Sequence, residues 1–177
     1  ISNDLIKKGN DIKIGTSRSN PSIPKELNSC EIVKIDLENS SSLKSACRGV
    51  NTIIHLVSPN SKFCEENRQK ALMVNGLGTL RLLDAAKTCL VKKFIYFSTI
   101  HIYGGFLKGN IDETVTPRPL SSYAITHRIA EDYVLSYDQA NFLRCCVLRL
   151  SNVIGAPLNK NCNGWDLVIN DLCLQSV

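Results

Sequence analysis

From residue 11 onward the chain alternates between strand-like and helix-like hydrophobic periods, and few folds accommodate that pattern. Asp11 to Thr16, Glu31 to Ile35, Thr52 to Leu56, Phe94 to Ser98 and Arg144 to Leu150 are short apolar runs of strand length. Helical patterns separate them. Ser41 to Cys47 follows the Ser-rich cap Ser40-Ser41-Ser42, Cys64 to Lys87 carries Ala71, Val74, Gly78, Leu82 and Ala85 on one face, and Ser121 to Tyr137 forms a third. Thr52-Ile53-Ile54-His55-Leu56 is almost continuously apolar, as in a strand buried on both faces. Gly104 to Pro119 is rich in Gly and Pro and reads as a loop. Strands alternating with helices give a parallel sheet with helices on both faces, so an α/β doubly wound domain is expected. The 177 residues suffice for one such domain with a sizeable core.

Composition narrows the function classes. The net charge is only +5, and the basic residues are scattered, with the doublets Lys7-Lys8 and Lys92-Lys93 and no aromatic interleaving. A nucleic-acid partner is therefore not expected. No apolar stretch is long enough to span a bilayer, so no membrane partner is expected either. The eight cysteines contain no Cys-x-x-Cys and no metal-ligand spacing, so no metal is expected. Cys47, Cys89, Cys145, Cys146 and Cys173 sit in apolar surroundings, where thiols behave as small buried hydrophobes. Adjacent Cys145 and Cys146 on a strand point to opposite faces. Reduced thiols in a cytoplasmic protein follow as the expectation.

In open parallel sheets ligands sit outside the carboxyl ends of the strands. Those ends carry Ser17-Arg18, Asp36, Ser58, Ser98-Thr99 and Ser151-Asn152. Tyr123 follows a Pro-containing loop and opens a helix, which aims its ring at the same cleft. A tyrosine is a poor base at neutral pH unless a positive neighbour lowers its pKa. The residue four positions on shares its helical face, and here that is His127. Thr99, at the end of a buried strand, could bind the same substrate oxygen.

With these residues in place, a resemblance is plain. Phe94-Ile-Tyr-Phe-Ser98-Thr99-Ile-His-Ile-Tyr103-Gly104, then Asp112-Glu113-Thr114 and Pro119-Leu-Ser-Ser-Tyr123, resemble the extended short-chain dehydrogenase/reductase family, its NAD-dependent epimerase/dehydratase group. Thr52 to Val57, Val74-Asn75-Gly-Leu-Gly78-Thr79 and Arg149-Leu-Ser-Asn152-Val-Ile-Gly155 do so as well. The resemblance implies a Rossmann-like domain carrying NADP or NAD and a nucleotide-sugar substrate. It implies Tyr123 as catalytic acid/base, Thr99 as its partner on the substrate oxygen, and His127 as the residue tuning Tyr123. Ser17 and Arg18 would meet the cofactor ribose, Asp36 and Leu37 would flank the adenine, and Leu56, Val57 and Ser58 would line the cofactor channel. Asn75 would lie close to the cofactor, as would Tyr123 and His127. Leu150 and Ser151 would approach the nicotinamide, and Asn152 the substrate phosphates. A homodimer of the full-length protein is compatible with the resemblance.

Four departures from the family pattern bear on function. The family's Tyr-x-x-x-Lys is Tyr123-Ala-Ile-Thr-His127 here, which replaces a permanent charge by an imidazole charged only in part near pH 7. No Gly-rich phosphate loop occurs, and the chain opens in helical pattern from Ile1 to Gly9. The expectation is a fragment in which the first strand is missing: residues 1–157 an incomplete dinucleotide-binding domain, and 158–177 the start of a substrate-binding region. In the strand order 3-2-1-4-5-6 the strands holding Ile14 and Ile54 would then be unpaired with each other. Thr16-Ser17-Arg18 replaces the acidic residue that receives ribose hydroxyls, which favours NADP. Ile100 and His101 stand where sugar dehydratases carry Asp and Glu, which disfavours dehydration. The functional expectation is hydride transfer at a sugar carbon by an epimerase or carbonyl reductase. The alternative is a dinucleotide-binding regulatory or scaffold member of the fold.

Overall fold

The computed structural model of the chain describes residues 1–105, 108–152 and Leu172. The start proposed for a second region, 158–177, otherwise lies outside the described residues. Helix α1 (Ser2–Lys7) leads to strand β1 (Lys13–Thr16), then β2 (Glu31–Lys34), α2 (Ser40–Cys47) and β3 (Thr52–His55). Next come α3 (Ser61–Glu66), α4 (Arg68–Ala71), a π-helical segment (Leu72–Leu77) and α5 (Gly78–Thr88). Strand β4 (Lys93–Thr99), α6 (Ser122–Gln139) and β5 (Arg144–Leu150) complete the order. All pairings are parallel: β1 with β2 in one sheet, and β3-β4-β5 in another. Among the described residues no ladder joins β1 to β3, in agreement with the expected strand order.

Register decides what reaches the carboxyl end of the larger sheet. Thr52 pairs with Lys93 and His55 with Tyr96, so β3 stops three residues short of the end of β4. Leu56, Val57 and Ser58 therefore leave the sheet beside Phe97, Ser98 and Thr99. Thr99 pairs with Leu150, which ends β4 and β5 together. Phe94 and Tyr96 on one face of β4 pack with Leu43 of α2, Leu83 and Ala86 of α5, and Ala130 and Val134 of α6. Burying these side chains drives the sheet and helices together.

Several local expectations need correction. The Cys64 to Lys87 pattern is not one helix, because Asn67 (φ −133°, ψ 59°) interrupts it. Asparagine hydrogen-bonds locally and is a poor helix former. The continuous apolar period survives the break, which is why the pattern conceals it. Asn39, not the serines, caps α2, its side chain accepting from the Ser42 N–H at 3.1 Å. Thr52 and Leu56 are exposed, so the run through β3 is not covered on both faces. Cys146 is exposed and Cys89 and Cys145 only partly covered, whereas Cys47 and Cys64 are buried. Alternation along β5 places Cys145 inward and Cys146 outward. Gly76 lets the π segment approach α6, since a Cβ there would lie 3.3 Å from the Ile129 side chain. Among the described residues no helix is long and apolar enough to cross a membrane.

A buried ion pair fastens α6 to β5. Glu131 is fully buried and accepts from Arg149 Nε at 3.2 Å and Nη2 at 2.9 Å. Arg149 Nη1 also donates to Tyr103 Oη at 2.6 Å, and that hydroxyl donates to the Asp112 carbonyl at 3.0 Å. Removing one partner strands the other charge in the interior. Glu131→Gln is expected to destabilise the fold by about 3 kcal/mol, read from urea unfolding. An unchanged midpoint would mean that Tyr103 and solvent satisfy Arg149 without the carboxylate.

Candidate active site

Thr99 is the last residue of β4 and caps the short 3-10 turn Ile100–Tyr103, its Oγ1 accepting the His101 N–H at 3.2 Å. With that lone pair engaged, the buried Thr99 hydroxyl keeps its proton to donate. Tyr123 sits in the first turn of α6, whose free N–H groups are held from two directions. Ser121 Oγ accepts from Ala124 N–H at 3.2 Å. Glu65 of α3 accepts from Ser122 N–H at 2.6 Å and from Ser122 Oγ at 3.2 Å. A carboxylate at a helix N-terminus is favoured by the helix dipole as well as by these hydrogen bonds. From the π segment, the fully buried Asn75 donates to Thr126 Oγ1 at 3.0 Å, and Thr126 is within reach of the Tyr123 carbonyl at 3.0 Å. The turn carrying Tyr123 is thus fixed by α3, the π segment and its own cap.

Burial pushes the half-buried Tyr123 phenol above its ordinary value of 10, the Cys64 thiol adds to this, and the Thr99 hydroxyl acts against it. Among the described residues no cation lowers it. His127 is buried, with its ring 4.5 Å from the Tyr123 ring in an edge arrangement at 63°. Its Nδ1 lies 2.7 Å from Tyr96 Oη and its Nε2 3.0 Å from Ser58 Oγ. Desolvation pulls its pKa down to about 4. Desolvation thus acts against the positive charge by which His127 was expected to tune Tyr123. His101 is exposed, its ring edge-on to Tyr123 at 6.4 Å.

The structure brings Thr99, Tyr123, His127, Ser58 and Asn75 into one neighbourhood. Leu150 and Ser151 are next to Thr99 across the β4–β5 register, and Asn152 follows them, exposed. Leu56 and Val57 are exposed at the carboxyl end of β3. Ser17, Arg18, Asp36 and Leu37 belong to the other sheet, at the carboxyl ends of β1 and β2. Asp36 Oδ1 accepts from Glu38 N–H at 2.9 Å, while Leu37 packs where a Cβ on Gly78 would lie, 2.9 Å from its Cδ1. Among the described residues no group of three His, Cys, Asp or Glu side chains could hold a metal ion. Sequence reasoning missed Tyr96, Glu65 and Thr126. Only Tyr96 left a signal: a tyrosine between Phe94 and Ser98 on the buried face of a strand needs a partner for its hydroxyl.

The model of the NAD-dependent epimerase/dehydratase family matches residues 1–172. A UDP-glucose 4-epimerase of Rhizobium leguminosarum bv. trifolii is 36% identical over 91 residues, 51% of this chain and 28% of that protein. A human dTDP-D-glucose 4,6-dehydratase is 40% identical over 82 residues, 46% of this chain and 23% of that protein. Among solved structures, the Thermus thermophilus UDP-glucose 4-epimerase in complex with NAD superposes with a TM-score of 0.80 at 27% identity. That match covers 92% of this chain and 54% of the other, so this chain spans about half the length of the solved relative.

Proposed function

The chain belongs to the NAD-dependent epimerase/dehydratase family, and from that premise we propose that it forms the dinucleotide-binding part of a cytoplasmic enzyme that transfers hydride at a carbon of a nucleotide-activated sugar. The observation carrying this reading is the meeting of Thr99, at the carboxyl end of β4, with Tyr123 in the first turn of α6. Side chains at the strand ends support a dinucleotide there. Leu56 is 54% exposed and Val57 and Leu150 37% each, open apolar side chains at strand ends that suit the flat faces of a bound cofactor. Bound there, the dinucleotide would supply hydride acceptance and return. Tyr123, held as a phenol, donates its proton to a carbonyl oxygen being reduced, and the Thr99 hydroxyl steadies that oxygen. Oxidation of the alcohol asks more of the site, because Tyr123 must first lose its proton. Carbonyl reduction is accordingly the direction this geometry supports at neutral pH, and epimerisation needs both directions.

A second reading, a dinucleotide-binding regulatory or scaffold member, is favoured by one observation: both His127 nitrogens are engaged within the protein. Full-length protein, incubated with NAD or NADP and UDP- or dTDP-hexoses, separates the two. Interconversion of sugars or consumption of reduced cofactor supports the enzyme, whereas tight dinucleotide binding without turnover supports the regulator. Residues 1–157 remain the proposed extent of the dinucleotide-binding domain. A homodimer is the assembly proposed for the full-length protein, since Leu72, Met73, Ile125 and Tyr133 leave large apolar side chains exposed on the π segment and α6.

NADP is the proposed cofactor preference. Arg18 is exposed directly beyond β1 beside Ser17, its own N–H donating to Thr16 Oγ1 at 3.2 Å. Among the described residues its guanidinium has no hydrogen-bond or ion-pair partner, which leaves it free for a 2′-phosphate. Calorimetry is expected to show tighter binding of NADP than of NAD, with Arg18→Ala abolishing the difference. Equal affinities in the unaltered protein would remove this assignment.

A further inference from the structure

Three hydrogen bonds meet around the ring of His127, and together they fix its protons. Tyr96 Oη lies 2.7 Å from Nδ1, Ser58 Oγ lies 3.0 Å from Nε2, and Ser58 Oγ donates to the Pro59 carbonyl at 2.9 Å. A carbonyl can only accept, so the contact directs the single Ser58 proton to Pro59, whose carbonyl also takes the weaker Cys64 Sγ contact at 3.6 Å. Ser58 Oγ then faces Nε2 as an acceptor, and Nε2 must carry the hydrogen. A neutral imidazole has one N–H, which leaves a lone pair on Nδ1 for the Tyr96 hydroxyl proton. The opposite tautomer would leave Nε2 and the Pro59 carbonyl competing for the one Ser58 proton, and would turn Nδ1–H towards Tyr96 Oη. An imidazolium would turn Nδ1–H towards Tyr96 Oη and strip the Tyr96 proton of its acceptor. Tyr96 is 1% exposed, and its hydroxyl has no other partner among the described residues. Orphaning a buried hydroxyl is costly.

We propose that Tyr96 and Ser58 are positioning residues that lock His127 as the neutral Nε2–H imidazole, so that His127 serves as a fixed wall beneath the Tyr123 ring and not as a charge. The surroundings agree. The His55 ring of β3 lies 5.7 Å from Tyr96 and is itself buried, with Nε2 3.0 Å from Thr79 Oγ1. Glu131, the nearby carboxylate on α6, is already paired with Arg149. Burial depresses the basicity of both histidines. Two consequences follow for the site. Tyr123 has no proton relay through His127, because Tyr96 and Ser58 occupy both ring nitrogens. Ser58 has no proton left to give, so a ligand hydroxyl meeting it must be the donor.

The test is 15N NMR of histidine-labelled full-length protein at pH 7, with His127 assigned by its loss in His127→Gln. It needs no substrate or cofactor, so its outcome is separate from that of the nucleotide-sugar reading. His127 is expected to show a protonated Nε2 and an unprotonated Nδ1. Ser58→Ala removes the acceptor of Nε2–H but leaves the Tyr96 proton in need of Nδ1, so it is expected to keep Nε2–H, and only the double variant Ser58→Ala/Tyr96→Phe to give a mixture of tautomers. Tyr96→Phe keeps the Ser58 bond and is expected to retain Nε2–H while losing the protected Tyr96 hydroxyl proton. A role in packing alone would move none of these signals. An Nδ1–H tautomer, a doubly protonated ring at pH 7, or a double variant with the unaltered protein's single Nε2–H form would overturn the proposal.

Discussion

Acidification from pH 6.5 towards 4 is expected to remove much of the stability of this protein. His55 and His127 are buried, and desolvation lowers each from 6.5 to about 4, with His127 further disfavouring charge on His55. In the unfolded chain both imidazoles take up protons as the pH drops through about 6.5; in the fold they resist until about 4. Within that window the unfolded state binds more protons, so stability falls as pH falls. The linkage amounts to about 3 kcal/mol per histidine, on the order of 5 kcal/mol for the interacting pair. Since domains are stable by only about 5–15 kcal/mol, this is enough to approach unfolding. Urea midpoints measured by circular dichroism at pH 7, 5.5 and 4.5 should decline steeply. His55→Gln keeps a hydrogen bond to Thr79 and should flatten part of the decline. A midpoint independent of pH across this range would show that the two rings are accessible to protons in the fold.

Tyr123→Phe is expected to lower turnover of the full-length protein by about 10²–10⁴-fold, the usual worth of a positioned proton-transfer group. Phenylalanine keeps the edge contact with His127, so dinucleotide affinity should be nearly unchanged. The unaltered protein carries a pH signature of its own. Tyr123 is held above the ordinary phenol value of 10, so alcohol oxidation should accelerate with pH throughout the alkaline range without levelling below that value. His127→Lys places an ammonium beside the phenol and should draw the rise down by about 1–3 pH units. If Tyr123→Phe turns over within a few-fold of the unaltered protein, the phenol is not the acid/base. If neither protein turns over while both bind dinucleotide, the regulatory reading gains.

The parts of this fold that the sequence made legible are those governed by short-range periodicity. Strand β5 runs from Arg144 to Leu150, as its alternation indicates, and α6 opens next to Tyr123 because Ser121 is an N-cap. Thr99 was legible for the same reason, being the polar residue that closes an apolar strand. What escaped depends on partners distant in sequence. His127 looks like a solvent-facing neighbour of Tyr123 until strand β4 brings Tyr96, 31 residues away, against its ring. Glu131 and Arg149 look like ordinary surface charges until α6 docks on β5. The break at Asn67 leaves the hydrophobic period intact, so periodicity cannot report it. The resemblance supplied residue types at positions and the loss of a permanent charge at His127; the packing of β3, β4 and α6 added that both nitrogens of that ring are engaged within the protein.

The cap that Glu65 places on α6 couples two events in the assembly of the fold. Glu65 lies 57 residues upstream of Ser122, on a different helix, so the first turn of α6 gains this second cap only when α3 has docked, whereas its Ser121 cap is local. The body of α6 carries its own i→i−4 ladder and can form locally, ahead of that encounter. The full set of contacts around the Tyr123 turn is therefore complete only once α3 and α6 have met. Amide exchange at Ser122 would then track the opening of α3 from α6, while exchange deeper in the helix would track global unfolding. The turn that bears Tyr123 thus answers to the docking of α3 as well as to the helix it opens.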